Sequence, residues 1–374
     1  MDVSGVPERF QIRVDDAVWR DLGERLRRTR FPPPTPGEPW QAGTDIGYLK
    51  ELVGYWADGF DWPTQERRLN EWPQYTVMLD GVQVHFVHVR SGRADALPLV
   101  LAHGWPSLFT EYLPLAAKLQ DGFDLVIPSL PGHGYSEVPA GPVTRKWIAE
   151  QWHRLMTDVL DYQRYGVVGG DVGGDVVHWM AGLYPDHVVG LHTIHPKAST
   201  EGGPLSEAEQ AYLHQRDVLE EERDGGYSHL QATRPDTVAA ALADSPAGLA
   251  SWIVDKFDAW ADGRITEAFD RDELLTLLTL YWATNTIGTS FRSYYDYPHN
   301  PPRPPIIVPV AVTLSAEDHW IAAPSSIAYP RELADRTYPD IRLWHEPAQG
   351  GHFLALEQPT LFAADIQTFF NTLT

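Results

Sequence analysis

Short apolar runs separated by helical patterns dominate the middle of the chain. Six such runs are found, at Leu97–Ala102, Asp124–Pro128, Tyr165–Gly169, Gly190–His195, Ile306–Leu314 and Ile341–Trp344. This alternation predicts a mostly parallel sheet with helices on both faces. Residues 201–300, between the fourth and fifth runs, are helical in pattern. The simplest organisation is therefore an α/β domain whose sheet is interrupted by a helical insertion.

The first 95 residues follow a different pattern, typical of helices and a hairpin. Apolar spacing from Asp16 predicts a helix that ends before Phe31–Pro36, because proline cannot continue a helix. A second helix is predicted around Ile46–Gly59, and Asp80-Gly81 between two apolar runs predicts a tight hairpin. The predicted division is an arm with a hairpin (1–95), a first part of the core (96–200), a helical cap (201–304) and a second part of the core (305–374).

Charge and composition exclude several classes of function. The chain has 51 Asp and Glu against 29 Lys and Arg, a formal charge of −22, which repels phosphate backbones and anionic lipid. Nucleic acid and membrane are therefore not expected partners. The chain has no Cys, which excludes disulfides, thiolate metal sites and thiol nucleophiles. Without a signal-peptide pattern or a long apolar run, we expect a soluble, cytoplasmic protein. Its oligomeric state is open, with a homodimer among the options.

The segment Gly169–Gly173 is the most informative for chemistry. An apolar strand runs into it, and a helix is predicted from near Gly174. A small–x–nucleophile–x–small pattern at such a turn is the nucleophile elbow of α/β-hydrolases, in which the flanking residues must be small. Asp171 is therefore the candidate nucleophile. Asp175 is the rival, but Val177, two residues later, would crowd the turn, so Asp175 is expected in the first helical turn.

Two further loops fit the same template. In this architecture, a loop such as HGWP supplies one backbone N–H of an oxyanion hole, and the residue after the nucleophile supplies the other. The expected donors are Trp105 and Val172. A catalytic acid and a histidine should follow in that order, and Asp318 and His352 have the required positions. Glu317 remains an alternative to Asp318.

An aspartate nucleophile restricts the reaction. A carboxylate that attacks an sp³ carbon forms an ester, which activated water then hydrolyses. Epoxides and haloalkanes both suit this scheme, but an epoxide oxygen needs a proton donor, whereas a halide needs N–H donors. Residue chemistry alone does not select such a donor among the 16 Tyr.

With these motifs, the sequence resembles the epoxide hydrolases of the α/β-hydrolase family, in the branch that includes the microsomal and juvenile-hormone enzymes. The resemblance covers nearly the whole chain. It rests on RLRRTRFP, QERRLNEWPQYTVMLDGVQVHFVHVRS, HGWP, GGDVGG, GYSHLQATRPDTVAAALADSPAGLASWIVDKF and GGHFLALEQP. It implies an α/β-hydrolase fold with a helical cap and an N-terminal arm that wraps the cap.

The resemblance also implies roles for individual residues. Asp171 matches the family's nucleophile, His352 its base and Asp318 its charge-relay acid. Tyr227 in GGYSHLQ and Tyr294 in TSFRSY match the two cap tyrosines that activate the epoxide oxygen. The implied partner is a small-molecule epoxide, the product is a vicinal diol, and no metal or organic cofactor is required.

Two other functions remain as alternatives. A haloalkane dehalogenase-like hydrolase is disfavoured because the chain has Val172 where many relatives have Trp, and because the cap tyrosines are paired. A non-catalytic ligand-binding hydrolase fold is expected to have lost a member of the triad, and this chain keeps all three.

Overall fold

Nine strands in the described residues pair into one sheet, in the order β1-β2-β3-β5-β4-β6-β7-β8-β9. The computed structural model describes residues 5–219, 225–315 and 328–373. The strands are β1 (Glu8–Phe10), β2 (Gln74–Leu79), β3 (Val82–Val89), β4 (Leu97–Ala102), β5 (Phe123–Pro128), β6 (Tyr165–Gly169), β7 (Val188–Thr193), β8 (Val310–Thr313) and β9 (Ile341–His345). From β5 to β9 in this sheet order, each strand is parallel to its neighbour. Strands β1, β2 and β3 form one edge, where each pairs antiparallel with the next and β3 pairs antiparallel with β5. This confirms the predicted α/β class with a mostly parallel sheet.

The predicted hairpin joins β2 and β3. Its turn residues Asp80 and Gly81 have φ values of 49° and 78°. Both lie in the left-handed region that a two-residue hairpin turn requires, which explains why this dipeptide marks the turn in the sequence.

Three helices form the N-terminal arm: α1 (Asp16–Arg27), α2 (Ile46–Asp58) and α3 (Trp62–Glu71). Each begins after an aspartate, Asp15, Asp45 or Asp61, whose side chain accepts a backbone N–H of the first turn. The first two helices were expected. The third was not, because its only buried apolar side chains are Trp62 and Leu69, too few to mark a helical period.

Helices also cover the sheet. The ones before the cap are α4 (Leu113–Leu119), α5 (Arg145–Arg154) and α6 (Asp171–Leu183). All residues of β5 and β6 are buried. This burial explains why these strands are continuous apolar runs in the sequence rather than alternating ones.

The described residues between β7 and β8 form the cap helices: α7 (Glu207–Leu219), α8 (Gly226–Thr233), α9 (Pro235–Asp244), α10 (Pro246–Trp260), α11 (Ile265–Ala268), α12 (Arg271–Thr284), α13 (Ile287–Ser290) and α14 (Arg292–Tyr295). In the part of the chain that the structure describes, no single helix is long and apolar enough to cross a membrane. Only α9 and α10 together reach that length and composition, and they are bent by 119°. The predicted domain boundaries stay a prediction.

The arm is hydrogen-bonded directly to the cap. The indole N–H of Trp56 donates to the Thr279 hydroxyl at 3.0 Å, in a buried contact. The Thr44 hydroxyl donates to the backbone oxygen of Ser251 at 2.6 Å. The cap is therefore joined to the rest of the molecule by side chains of the arm as well as by its own two connections.

The chain returns to the sheet through β8, which is shorter than the predicted run Ile306–Leu314. The strand begins only after Pro309, since proline has no backbone N–H for a sheet ladder. The helices that follow are α15 (Arg331–Asp335), α16 (Leu354–Glu357) and α17 (Pro359–Phe370).

Candidate active site

Asp171 lies at the sharp turn between β6 and α6. Its φ is 50°, in the left-handed region that non-glycine residues rarely adopt. A Cβ atom on Gly173 would lie 2.2 Å from a backbone oxygen of β4, and one on Gly169 would lie 3.0 Å from the Gly173 carbonyl carbon. Only hydrogen fits at Gly173, as the elbow pattern requires. Helix α6 begins at Asp171, earlier than the predicted start near Gly174, because extended Gly170 is its N-cap.

The Asp171 carboxylate is fixed by two backbone donors. The N–H groups of Trp105 and Val172 donate to its Oδ1 at 2.8 and 2.6 Å. Burial raises the pKa of Asp171, and these two N–H groups oppose that rise. They are the two donors predicted for an oxyanion hole. One carboxylate oxygen is thus held by the backbone, while Oδ2 points to the other side.

His352 lies on the Oδ2 side of the carboxylate. Its Nε2 is 3.6 Å from Oδ2 of Asp171. The imidazole is buried against the indole of Trp260 at 4.8 Å between ring centroids, and its backbone N–H donates to the Trp260 oxygen at 2.9 Å. Asp318 and its alternative Glu317 both lie outside the described residues, so the choice of acid stays a prediction.

The turn that carries His352 is organised around Glu357. This carboxylate accepts the backbone N–H groups of Gly351, Phe353 and Asp262 at 2.9, 3.0 and 2.8 Å. A Cβ atom on Gly351 would lie 2.5 Å from the Asp262 nitrogen, so the turn packs directly on the cap loop between α10 and α11. The Gly-Gly-His pattern identifies His352 in the sequence, but it does not identify Glu357.

Tyr227 and Tyr294 meet in the cap above Asp171. Their ring centroids are 6.0 Å apart at 75°. Tyr227 stacks on the indole of Trp105 at 5.2 Å and 9°, and Tyr294 meets the same indole edge-on at 5.8 Å. Burial raises the pKa of Tyr294 well above its usual value, and Tyr227 and Asp171 add to the rise. The structure brings the two tyrosines, found by resemblance alone, to the candidate nucleophile.

One cavity of about 320 Å³ contains these groups. Asp171, His352, Tyr227 and Tyr294 all line it. The volume is in the range of small-molecule sites in proteins. Among the described residues, no group of three or more His, Asp or Glu side chains is arranged to hold a metal ion.

A charged cluster borders the same cavity. Asp175 lies 2.6 Å from Nζ of Lys197 and 3.6 Å from Nε of Arg145, which is itself buried. Although burial opposes ionisation, these two cations lower the pKa of Asp175 to about 2. Because α6 begins at Asp171, Asp175 lies in its second turn, not in the first as expected. An ion pair, rather than the helix dipole, stabilises its charge.

His195 is a second residue that sequence reasoning missed. Its Nδ1 accepts the backbone N–H of Asp171 at 2.8 Å, and its ring lies 4.6 Å from that of His352. The imidazole thus helps to hold the strained elbow. The chain has 15 histidines, and nothing in the local sequence distinguishes His195 from the other 14.

Two family models match the chain. "Epoxide hydrolase N terminus" matches residues 7–112, and "alpha/beta hydrolase fold" matches residues 98–359. The first match covers the arm, the hairpin and the loop with Trp105, and the second covers most of the core together with the cap helices.

Named relatives resemble the chain along almost its whole length. Epoxide hydrolase 1 of Sus scrofa is 32% identical, with 97% of this chain and 88% of that protein covered. Juvenile hormone epoxide hydrolase 2 of Ctenocephalides felis is 34% identical, with 96% and 84% covered. The crystal structure of juvenile hormone epoxide hydrolase from the silkworm Bombyx mori is 29% identical, with a TM-score of 0.85 and 100% and 94% of the two chains covered.

Proposed function

The chain belongs to the epoxide hydrolases of the α/β-hydrolase fold, and we propose that it forms a vicinal diol through a covalent ester on Asp171. The observation that carries this proposal is the asymmetry of the Asp171 carboxylate. Oδ1 is bound by two backbone N–H groups, while Oδ2 lies on the side of His352. Oδ1 is therefore placed to carry negative charge, and Oδ2 is placed to form a bond to the substrate.

The first step is alkylation. Oδ2 of Asp171 attacks one epoxide carbon from the side opposite the ring oxygen, so a C–O bond to the enzyme forms as the ring C–O bond breaks. The oxygen that leaves takes a proton from Tyr227 or Tyr294, whose hydroxyl becomes a phenolate. Both tyrosines line the cavity with Asp171, which supports this role. A neutral phenol is the acid required, and the raised pKa of Tyr294 keeps it protonated before the reaction.

The second step is hydrolysis of the ester. His352 takes a proton from water, and the hydroxide attacks the Asp171 carbonyl carbon. The carbonyl oxygen, Oδ1, becomes an oxyanion beside the N–H groups of Trp105 and Val172, where each donor stabilises it by about 3 kcal/mol. Collapse breaks the acyl C–O bond, and the diol oxygen that leaves takes the proton of the new Asp171 carboxyl group, which becomes a carboxylate again. The proton on His352 returns to the tyrosine phenolate. Asp318, with Glu317 as the alternative, is proposed to stabilise protonated His352.

Isotope labelling distinguishes this route from direct attack of water on the epoxide. In a single turnover with enzyme in excess in ¹⁸O water, the ester route transfers the label to Asp171 and leaves the first diol unlabelled. Direct attack transfers the label to the diol. Mass spectrometry of the diol and of the peptide that contains Asp171 measures both, and label in the diol after one turnover would exclude the ester.

A halide assay addresses the dehalogenase alternative. Val172 offers only its backbone N–H next to the nucleophile, and this donor is already bonded to Asp171. We therefore expect diol formation from a panel of aryl and alkyl epoxides, and no halide release from haloalkanes of similar size under the same conditions.

A further inference from the structure

A second cavity of about 280 Å³ lies beside the proposed active site, between the arm, the loop after β4 and the cap. Most of its lining is apolar, but Glu111 faces it from the short 3-10 helix Phe109–Tyr112. Glu111 is only 6% exposed. The proposed mechanism gives it no role, so its buried carboxyl group calls for another explanation.

Glu111 is connected to the oxyanion hole through Ser107. The Ser107 hydroxyl lies 3.1 Å from the backbone oxygen of Gly104 and also makes a very short contact with Oε2 of Glu111. A hydroxyl group has one hydrogen, so it can donate to only one of these two oxygens. Both contacts are hydrogen bonds only if Glu111 carries a proton, which it donates to Ser107, while Ser107 donates to Gly104.

The far end of this chain of hydrogen bonds is the nucleophile. The carbonyl of Gly104 and the N–H of Trp105 belong to one peptide unit, and that N–H donates to Oδ1 of Asp171. A hydrogen bond to the carbonyl of a peptide polarises the unit and strengthens its N–H as a donor. Gly104 also packs directly on the nucleophile, since a Cβ atom there would lie 2.4 Å from the Asp171 Cβ.

We propose that neutral Glu111 is a positioning residue that acts through Ser107 on the Gly104–Trp105 peptide, strengthens the oxyanion hole and makes hydrolysis of the ester sensitive to alkaline pH. This inference rests on the proposed function, because it concerns the ester on Asp171. It adds a group outside the catalytic cavity that speeds the second step, in which negative charge builds up on Oδ1, and does not speed the first, in which that charge falls.

Burial and two neighbouring carboxylates favour the neutral form of Glu111. Burial raises the pKa of Glu111 to about 8, and the charges of Asp171 and Glu357 raise it further. The hydrogen bonds that the ionised carboxylate accepts from Ser107 and from the backbone of Gly104 oppose this rise. On the cavity side, the charged groups that line the space with Glu111 are Arg68 from the arm and Glu273 from the cap.

The direction of the pH effect follows from the hydrogen bonds. Below about pH 8 the carboxyl is protonated and the chain to Gly104 is complete. Above that pH, the carboxylate takes the hydrogen of Ser107, so the Gly104 carbonyl keeps only Nδ1 of His103, 3.0 Å away, as its donor, and a negative charge faces the forming oxyanion. Hydrolysis of the ester should therefore slow as pH rises through about 8, by about two- to fivefold, since such polarisation changes the contribution of one oxyanion-hole donor by about 10–30%.

The decisive variant is Glu111→Gln, whose amide donates to Ser107 as the neutral acid does but does not titrate. We expect an ester-hydrolysis rate within about twofold of the native enzyme at neutral pH, and no decline at alkaline pH. Glu273→Gln is the matched control, because Glu273 lines the same cavity but is not part of the hydrogen bonds from Glu111 through Ser107 to Gly104. It should keep the native pH profile. Ester formation and decay are followed in single turnovers by rapid quench and intact-protein mass spectrometry.

Each outcome separates the inference from the proposed function. If the ester forms and Glu111→Gln keeps the native alkaline decline, the inference is wrong and the function stands. If no epoxide that the enzyme turns over gives an ester, the proposed function itself fails. Should Glu111→Gln not fold, Ser107→Ala carries the same test. It should slow ester hydrolysis about two- to fivefold at neutral pH without slowing alkylation, and an unchanged hydrolysis rate would overturn the inference.

Discussion

The paired cap tyrosines give a quantitative prediction about the first chemical step. Replacing Tyr227 or Tyr294 by Phe removes one hydroxyl and keeps the ring. The Tyr227 ring is held by its stack on Trp105 and the Tyr294 ring by its edge contact with the same indole. Neither contact involves the hydroxyl, so the free energy of unfolding should change by no more than about 1 kcal/mol.

The expected magnitude follows from two donors that share one oxygen. A hydrogen bond to a charged group contributes about 1.5–3 kcal/mol, which corresponds to a factor of about 10 to 150 in rate. Each single variant should slow alkylation within that range and keep measurable activity, because the other phenol still donates. The double variant leaves the departing oxygen without a proton donor and should lose the full general-acid effect, about 10²- to 10⁴-fold.

The assay measures alkylation alone. In a His352→Gln background the ester should accumulate, so its rate of formation can be read by rapid quench and intact-protein mass. Tyr295→Phe is the control, because Tyr295 neighbours Tyr294 in the chain but is 48% exposed on the surface. Alkylation at the native rate in the double Phe variant would refute the reasoning and assign the oxygen's activation to another group.

Four further substitutions test the remaining roles. Asp171→Asn should abolish turnover with little change in melting temperature, because an amide is a poor nucleophile; native turnover in freshly prepared protein, with mass followed over time for deamidation, would contradict the covalent route. His352→Gln should form the ester and fail to hydrolyse it, so a stable mass increase equal to one epoxide is expected, and its absence would mean that His352 also serves the first step. Asp318→Asn should slow hydrolysis more than Glu317→Gln does, as compared in single turnovers, and the reverse order would transfer the acid role to Glu317.

Local constraints explain which features the sequence predicts well. The elbow at Asp171 requires glycine at position 173, where any side chain would clash with the backbone of β4. A few adjacent residues therefore determine this feature. The same holds for the Asp80-Gly81 turn, whose two positive φ values select residues that tolerate them. Both features could be predicted because their causes lie within one short segment.

Features that depend on distant contacts could not be predicted in this way. Asp175 forms ion pairs with Lys197 and Arg145, which come from separate segments of the chain. His195 reaches the backbone of Asp171 only because β6 and β7 are neighbours in the sheet. The two tyrosines lie on different cap helices, and only resemblance to a family singled them out. In each case the partner is set by packing, which leaves no local pattern.

The bonds between arm and cap have a consequence for how molecules enter and leave. Lifting the cap as a rigid lid would break the buried bond between Trp56 and Thr279 and the bond from Thr44 to Ser251, and would expose the polar groups that they satisfy. Each broken bond of this kind costs about 0.5–1.5 kcal/mol, because the exposed groups then bond to water instead. The arm therefore restrains the cap, so we expect epoxide to enter and diol to leave through local side-chain motions while the cap as a whole stays in place.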